Sequence, residues 1–121
     1  MGMIIKNGTI ISANDEFIGD VLIEGEKIIQ IGVDLCEDGH EVIDATGKYV
    51  FPGGVDEHVH MGSFATLSFE TSHAALVGGT TTIVDFSPQI KEKGIIESIQ
   101  IQNKEFAEGK ASCDYSFHGM V

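Results

Sequence analysis

Downstream of Val50, short β-type runs alternate with helix-length segments, and this restricts the fold more than any other feature of the chain. Tyr49 to Asp56 reads as a strand, His60 to Ser68 as a loop, and Phe69 to Val77 as a helix with Ser68 as N-cap and Gly78 as terminator. The β-branched run Thr80 to Phe86 reads as a second, buried strand. Ile95 to Ala107 reads as a second helix, with Ile95, Ile96, Ile99 and Phe106 on its apolar face and Gly109 at its end. Ser112 to Val121 opens a third strand. Strands joined in this way are parallel and their crossovers right-handed.

Upstream of Val50 the pattern is β-rich. Asn7-Gly8 between apolar pairs predicts a two-residue hairpin, because both residues tolerate positive φ. Glu24-Gly25-Glu26 predicts a second hairpin between Val21-Leu22-Ile23 and Ile28-Ile29-Gln30-Ile31. Val42 to Ala45 is a further short strand, and 34–40 a polar loop. The expected division is a β portion over 1–50 and a β/α portion over 51–121.

The chemistry concentrates in Pro52-Gly53-Gly54-Val55-Asp56-Glu57-His58-Val59-His60. On an extended strand Asp56, His58 and His60 share one face, Glu57 and Val59 the other. Two imidazoles on one face can reach one zinc-type ion, although a catalytic zinc takes three protein ligands. Asp56 reads either as a carboxylate orienting one of these rings or as a strand-end acceptor of backbone N–H groups. Asp85, ending the second strand, reads as a residue near a strand-end mouth or as a structural hydrogen-bond acceptor. His40 lies in a polar loop and His73 on a helix, and neither reads as a ligand; His118 lies on the third strand. Gly78-Gly79 fits a tight helix-to-strand turn, and no phosphate-binding glycine pattern occurs.

Net charge is −12, with 7 lysines, 19 acidic residues and no arginine, which argues against nucleic acid and against an anionic membrane surface. A hydrophobic fraction of 42% supports a core, and no apolar run reaches the roughly 18 residues of a membrane span. The start lacks a secretory pattern, and Gly2 is not followed by the Ser or Thr at position 6 that myristoylation prefers. Cys36 and Cys113 form no Cys-x-x-Cys, so reduced thiols and a cytoplasmic location are expected.

Six segments, in order, resemble the amidohydrolase superfamily and within it the dihydropyrimidinase/hydantoinase group. They are Ile4 to Ile11, Asp20 to Ile28, Val42 to Val50, the Pro-Gly-Gly-Val-Asp-x-His-x-His run at 52–60, Gly78 to Phe86, and Asp114 to Val121. The last two favour this group over dihydroorotases and allantoinases. The resemblance implies a mixed fold: an amino-terminal β-sandwich portion, then the first βαβαβ part of an incomplete (β/α)8 TIM-type metal-dependent hydrolase barrel. Proteins of this group are several times longer, so the chain is expected to be an amino-terminal fragment, inactive alone. The remaining ligands expected of the group, a carbamylated lysine, two histidines and an aspartate, would lie downstream.

The implied cofactor is two divalent metal ions, expected to be zinc, with His58 and His60 among their ligands. The implied reaction opens a dihydropyrimidine or 5-substituted hydantoin to an N-carbamoyl amino acid through a metal-bound hydroxide. Phe64 and Leu67, in the loop after the histidines, would wall the substrate pocket or pack against a helix. The partners expected are a small cyclic amide and further copies in a homo-oligomer, with no nucleic acid and no membrane. The alternatives are a non-catalytic assembly or signalling relative, or another cyclic amidohydrolase such as an allantoinase or dihydroorotase.

Overall fold

In the computed structural model, which describes residues 2–62 and 68–121, the change of pattern near Val50 becomes a change of architecture. The chain forms two compact units, Met1–Pro52 and Gly53–Val121.

The first unit is all β. Strands β1 (Met3–Ile11), β2 (Glu16–Glu24), β3 (Lys27–Gly32), β4 (Glu41–Asp44) and β5 (Tyr49–Val50) form one sheet in the order β3-β2-β1-β4, with β5 beside β1 as well. Alternation along β1 buries Ile4 and Ile10, and Val21 and Ala45 are the other buried apolar side chains described in this unit. The turn Gly25-Glu26, with Gly25 at φ 59°, joins β2 to β3 as an antiparallel pair.

Asn7-Gly8 makes no hairpin. Only Asn7 has positive φ (60°), so the doubly left-handed turn cannot form, and β1 continues through the site. Its register with β2 steps from Ile5–Val21 to Gly8–Gly19, setting Lys6 and Asn7 against Asp20 alone: a bulge. Asp20 holds it together, accepting from Lys6 Nζ at 2.8 Å, Asn7 N–H at 2.9 Å and Leu35 N–H at 2.9 Å. Burial pushes the Asp20 carboxyl up, but these donors outweigh it and hold the group below the usual carboxylate range. The hydrogen bond to Asp20 raises Lys6 above the ordinary lysine value, against the opposing effect of burial. Asp44 is likewise lowered, by the hydroxyl and N–H of Thr46.

The second unit is a parallel sheet, β6 (Gly54–Val59), β7 (Thr80–Pro88) and β8 (Asp114–Met120) in that order. The strand expected over Tyr49 to Asp56 is divided. Tyr49–Val50 pairs with β1, whereas β6 begins at Gly54, because Pro52 lacks a ladder donor between them. A 3-10 turn (Phe69–Ser72) capped by the Ser68 hydroxyl leads into α1 (His73–Val77), which Gly78 ends. Helix α2 (Ile95–Gln102) passes into a π turn (Asn103–Ala107), and Gly109 (φ 72°) follows.

The buried face of α2 differs from the expected one. Ser98 and Gln102 are buried, while Ile96 is 66% and Phe106 36% exposed. Helical spacing from Ile95 runs through Ser98, Ile99 and Gln102, which turns Ile96 aside, and the π turn rotates Phe106 off the same line. Ile95 and Ile99 rest against Gly119 of β8, where a Cβ would lie 2.8 Å from Ile95 Cγ1. Phe69, Ile83 and Ala107 form the core on this side of the sheet, with Val59, Tyr115 and Phe117 around them.

Candidate metal centre

The second unit carries the two histidines at the carboxyl end of β6, with His58 in the strand and His60 just past it, both exposed. Their rings stand edge to face, 5.2 Å apart at 89°. Both lean on Phe86 of β7, at 4.6 Å from His58 and 5.4 Å from His60. Val59, between them, packs into the core on the opposite side. Residue alternation therefore sends both imidazoles to one side of the sheet.

The alternation does not extend back to Asp56. Register passes from Asp56–Ile83 to Val59–Asp85, so Glu57 and His58 together face the single residue Val84. This second bulge breaks the two-residue period between 56 and 58. Asp56 Oδ1 accepts the backbone N–H of His58 at 3.1 Å.

Asp85, fully buried on β7, secures the backbone beyond His60. Its two oxygens accept from Met61 N–H at 3.2 Å and Gly62 N–H at 2.9 Å. The structural reading of Asp85 is the one seen. On the open side of the sheet, Glu57, His58, Phe86 and His118 line a hollow of about 470 Å³. His118 lies 5.1 Å from Phe86, and its Nε2 is 3.1 Å from the Glu57 carbonyl oxygen.

The remaining histidines stand elsewhere. His73 Nδ1 is 3.1 Å from the Glu70 carbonyl on the first helix, and His40 belongs to the first unit. Phe64 and Leu67 lie outside the described residues.

Two imidazoles on one exposed face suit a zinc-type ion as donors, but as part of a ligand set. Among the described residues no group of three or more His, Cys, Asp or Glu is gathered to hold a metal. Phe86 and the bond from His118 had no counterpart in the sequence reading. Phe86 was accessible through the period of β7, whose buried residues Ile83, Asp85 and Ser87 leave Phe86 on the other face. The His118 contact spans 61 positions and carries no local signal.

Similarity to known proteins runs along the whole chain. The D-hydantoinase of Geobacillus stearothermophilus is 46% identical over 127 aligned residues, covering 100% of this chain and 27% of the relative. The dihydropyrimidinase of Dictyostelium discoideum is 37% identical, with coverage of 96% and 24%. The chain is a relative of the hydantoinases and dihydropyrimidinases. In structure, this hydantoinase relative superposes on the dihydropyrimidinase of Brevibacillus agri with a TM-score of 0.90 at 44% identity, covering 100% of this chain and 27% of that one. It thus spans about a quarter of the length of the proteins it matches. No family model matches it. No helix among the described residues is long and apolar enough to cross a membrane.

Proposed function

We propose that this chain contributes His58 and His60 to the metal centre of a cyclic amidohydrolase. The observation that carries the reading is the imidazole pair on one face at the carboxyl end of β6, the end at which barrel enzymes keep their catalytic groups. The relatives named D-hydantoinase and dihydropyrimidinase support a dihydropyrimidine or 5-substituted hydantoin as substrate. In this reading residues 1–50 are part of a β-sandwich and 51–121 begin a (β/α)8 barrel.

The reaction adds water across a ring amide. The C–N bond breaks, oxygen joins the acyl carbon, the nitrogen takes a proton, and an N-carbamoyl amino acid leaves. Two divalent metal ions, expected to be zinc, would supply polarisation of the ring carbonyl and acidification of water. The chain's own part is to hold and orient. His58 and His60 provide neutral nitrogen donors, Phe86 backs both rings, and Asp85 fixes the turn beyond His60. Asp56 supports the His58 backbone.

The proposal also takes the protein as a cytoplasmic homo-oligomer. The free thiols Cys36 and Cys113 support a reducing compartment. Ile28, Ile29 and Ile31, about half or more exposed along β3, support burial against another surface.

The test is turnover of dihydrouracil and hydantoin by the complete, metal-loaded protein that contains this chain. Replacing His58 and His60 by alanine should remove bound metal and lower kcat/KM by more than about 100-fold. Absence of ring opening in the metal-replete parent, or full activity in the double variant, would overturn the proposal.

A further inference from the structure

The bulge in β6 falls on the peptide group that joins Glu57 to His58. That one group has its hydrogen present on His58 N and its oxygen on Glu57. The N–H donates to Asp56 Oδ1 at 3.1 Å, and the C=O lies 3.1 Å from His118 Nε2. Both polar ends of the peptide that carries the first imidazole are therefore held by side chains, one from β6 itself and one from β8, at a point where two residues face one in the sheet register. A carbonyl can only accept, so His118 is the tautomer bearing hydrogen on Nε2. Its ring lies against Phe86, which in turn touches both His58 and His60.

We infer that His118 is a positioning residue, which with Asp56 clamps the Glu57–His58 peptide and so sets the direction in which the His58 imidazole leaves the strand. The inference rests, for its catalytic consequence, on His58 being a metal ligand. The clamp itself is a property of the metal-free chain. Rotation of this peptide would swing the Cα–Cβ bond of His58, and a ligand ring displaced by a fraction of an ångström loses affinity.

Three variants separate the hydrogen bond from the packing. His118→Phe keeps a ring against Phe86 but has no donor. His118→Gln can place an amide N–H close to the Nε2 position, whereas the shorter amide of His118→Asn cannot. In the metal-free chain, His118→Phe should accelerate exchange of the His58 amide hydrogen about tenfold and shift the ring resonances of His58. His118→Gln should restore both and His118→Asn should not. Should His118→Phe fail to fold, the Gln and Asn pair decides. Unchanged exchange and ring resonances in a folded His118→Phe chain, or no difference between Gln and Asn, would overturn the inference.

In the complete protein, zinc affinity should fall about 10- to 100-fold with His118→Phe and recover with His118→Gln. Unaltered zinc affinity in the Phe variant would overturn the positioning role. A parent that takes up no zinc, together with a normal Gln–Asn contrast in the metal-free chain, would overturn the metal reading and leave the clamp standing.

Discussion

The carboxylate of Asp85, buried on β7, accepts the backbone N–H of Gly62 at 2.9 Å, two residues beyond His60. With the companion bond from Met61, it ties the segment leaving β6 to the neighbouring strand. The contact is close enough that a Cβ on residue 62 would lie 3.0 Å from Asp85 Oδ2.

Asp85→Ala should therefore leave two backbone donors without their partner, at about 1–3 kcal/mol each. The expected result is a destabilised second unit, with hydrogen exchange accelerated more at Met61 and Gly62 than along β6 itself. Exchange at these two amides that matches the parent would sink this account.

Gly53 and Thr81 supply a packing test. Register between β6 and β7 steps from Gly54–Thr80 to Val55–Thr82, so Thr81 is the extra residue, and a Cβ on Gly53 would sit 2.0 Å from its Oγ1. Gly53→Ala should cost about 1–3 kcal/mol through overpacking. Adding Thr81→Ala should recover much of the loss, and urea denaturation of the four species measures the coupling. Additive effects would show that the clash is not the cause.

Phe69 is fully buried and meets Tyr115 edge to face and Phe117 at a tilt, with ring centroids 5.3 and 5.9 Å away. Phe69→Ala should destabilise by about 3–5 kcal/mol, chiefly in the second unit. A loss below about 1 kcal/mol by chemical denaturation would mean that the site repacks fully.

The Lys6–Asp20 pair predicts the pH limits of the first unit. The folded Asp20 carboxyl is lowered, so its stabilisation is present above its ordinary value, about 3.9, and disappears as pH falls through the lower folded value. Folded Lys6 is raised, so its stabilisation is present below about 10.4 and disappears as pH rises through the higher folded value. Hydrogen exchange at Asn7 and Leu35, whose N–H groups bind Asp20, should report the acid limb. Asp20→Asn should flatten that limb. An unchanged acid dependence in this variant would refute the assignment.

Local chemistry made much of this legible from the sequence. Beta-branched runs, a serine before Phe69 and glycines after the helices determine where strands and helices start and stop, because those effects act within a few residues. Two-residue alternation likewise determined that His58 and His60 share a face, and the order of motifs revealed the relationship to hydantoinases. Tertiary structure decided the rest. Asn7-Gly8 became a bulge instead of a turn because Asp20, 13 residues on, supplies an acceptor that only the paired strand brings near. Asp56 fell out of step with the histidines because register against β7 admits an extra residue. Ser98 and Gln102 displaced Ile96 from the packed side of α2, and His118 reached Glu57 across 61 residues. Hydrophobic period and capping are carried by neighbours along the chain, whereas register, bulges and side-chain clamps depend on which strands meet, and only folding brings those strands together.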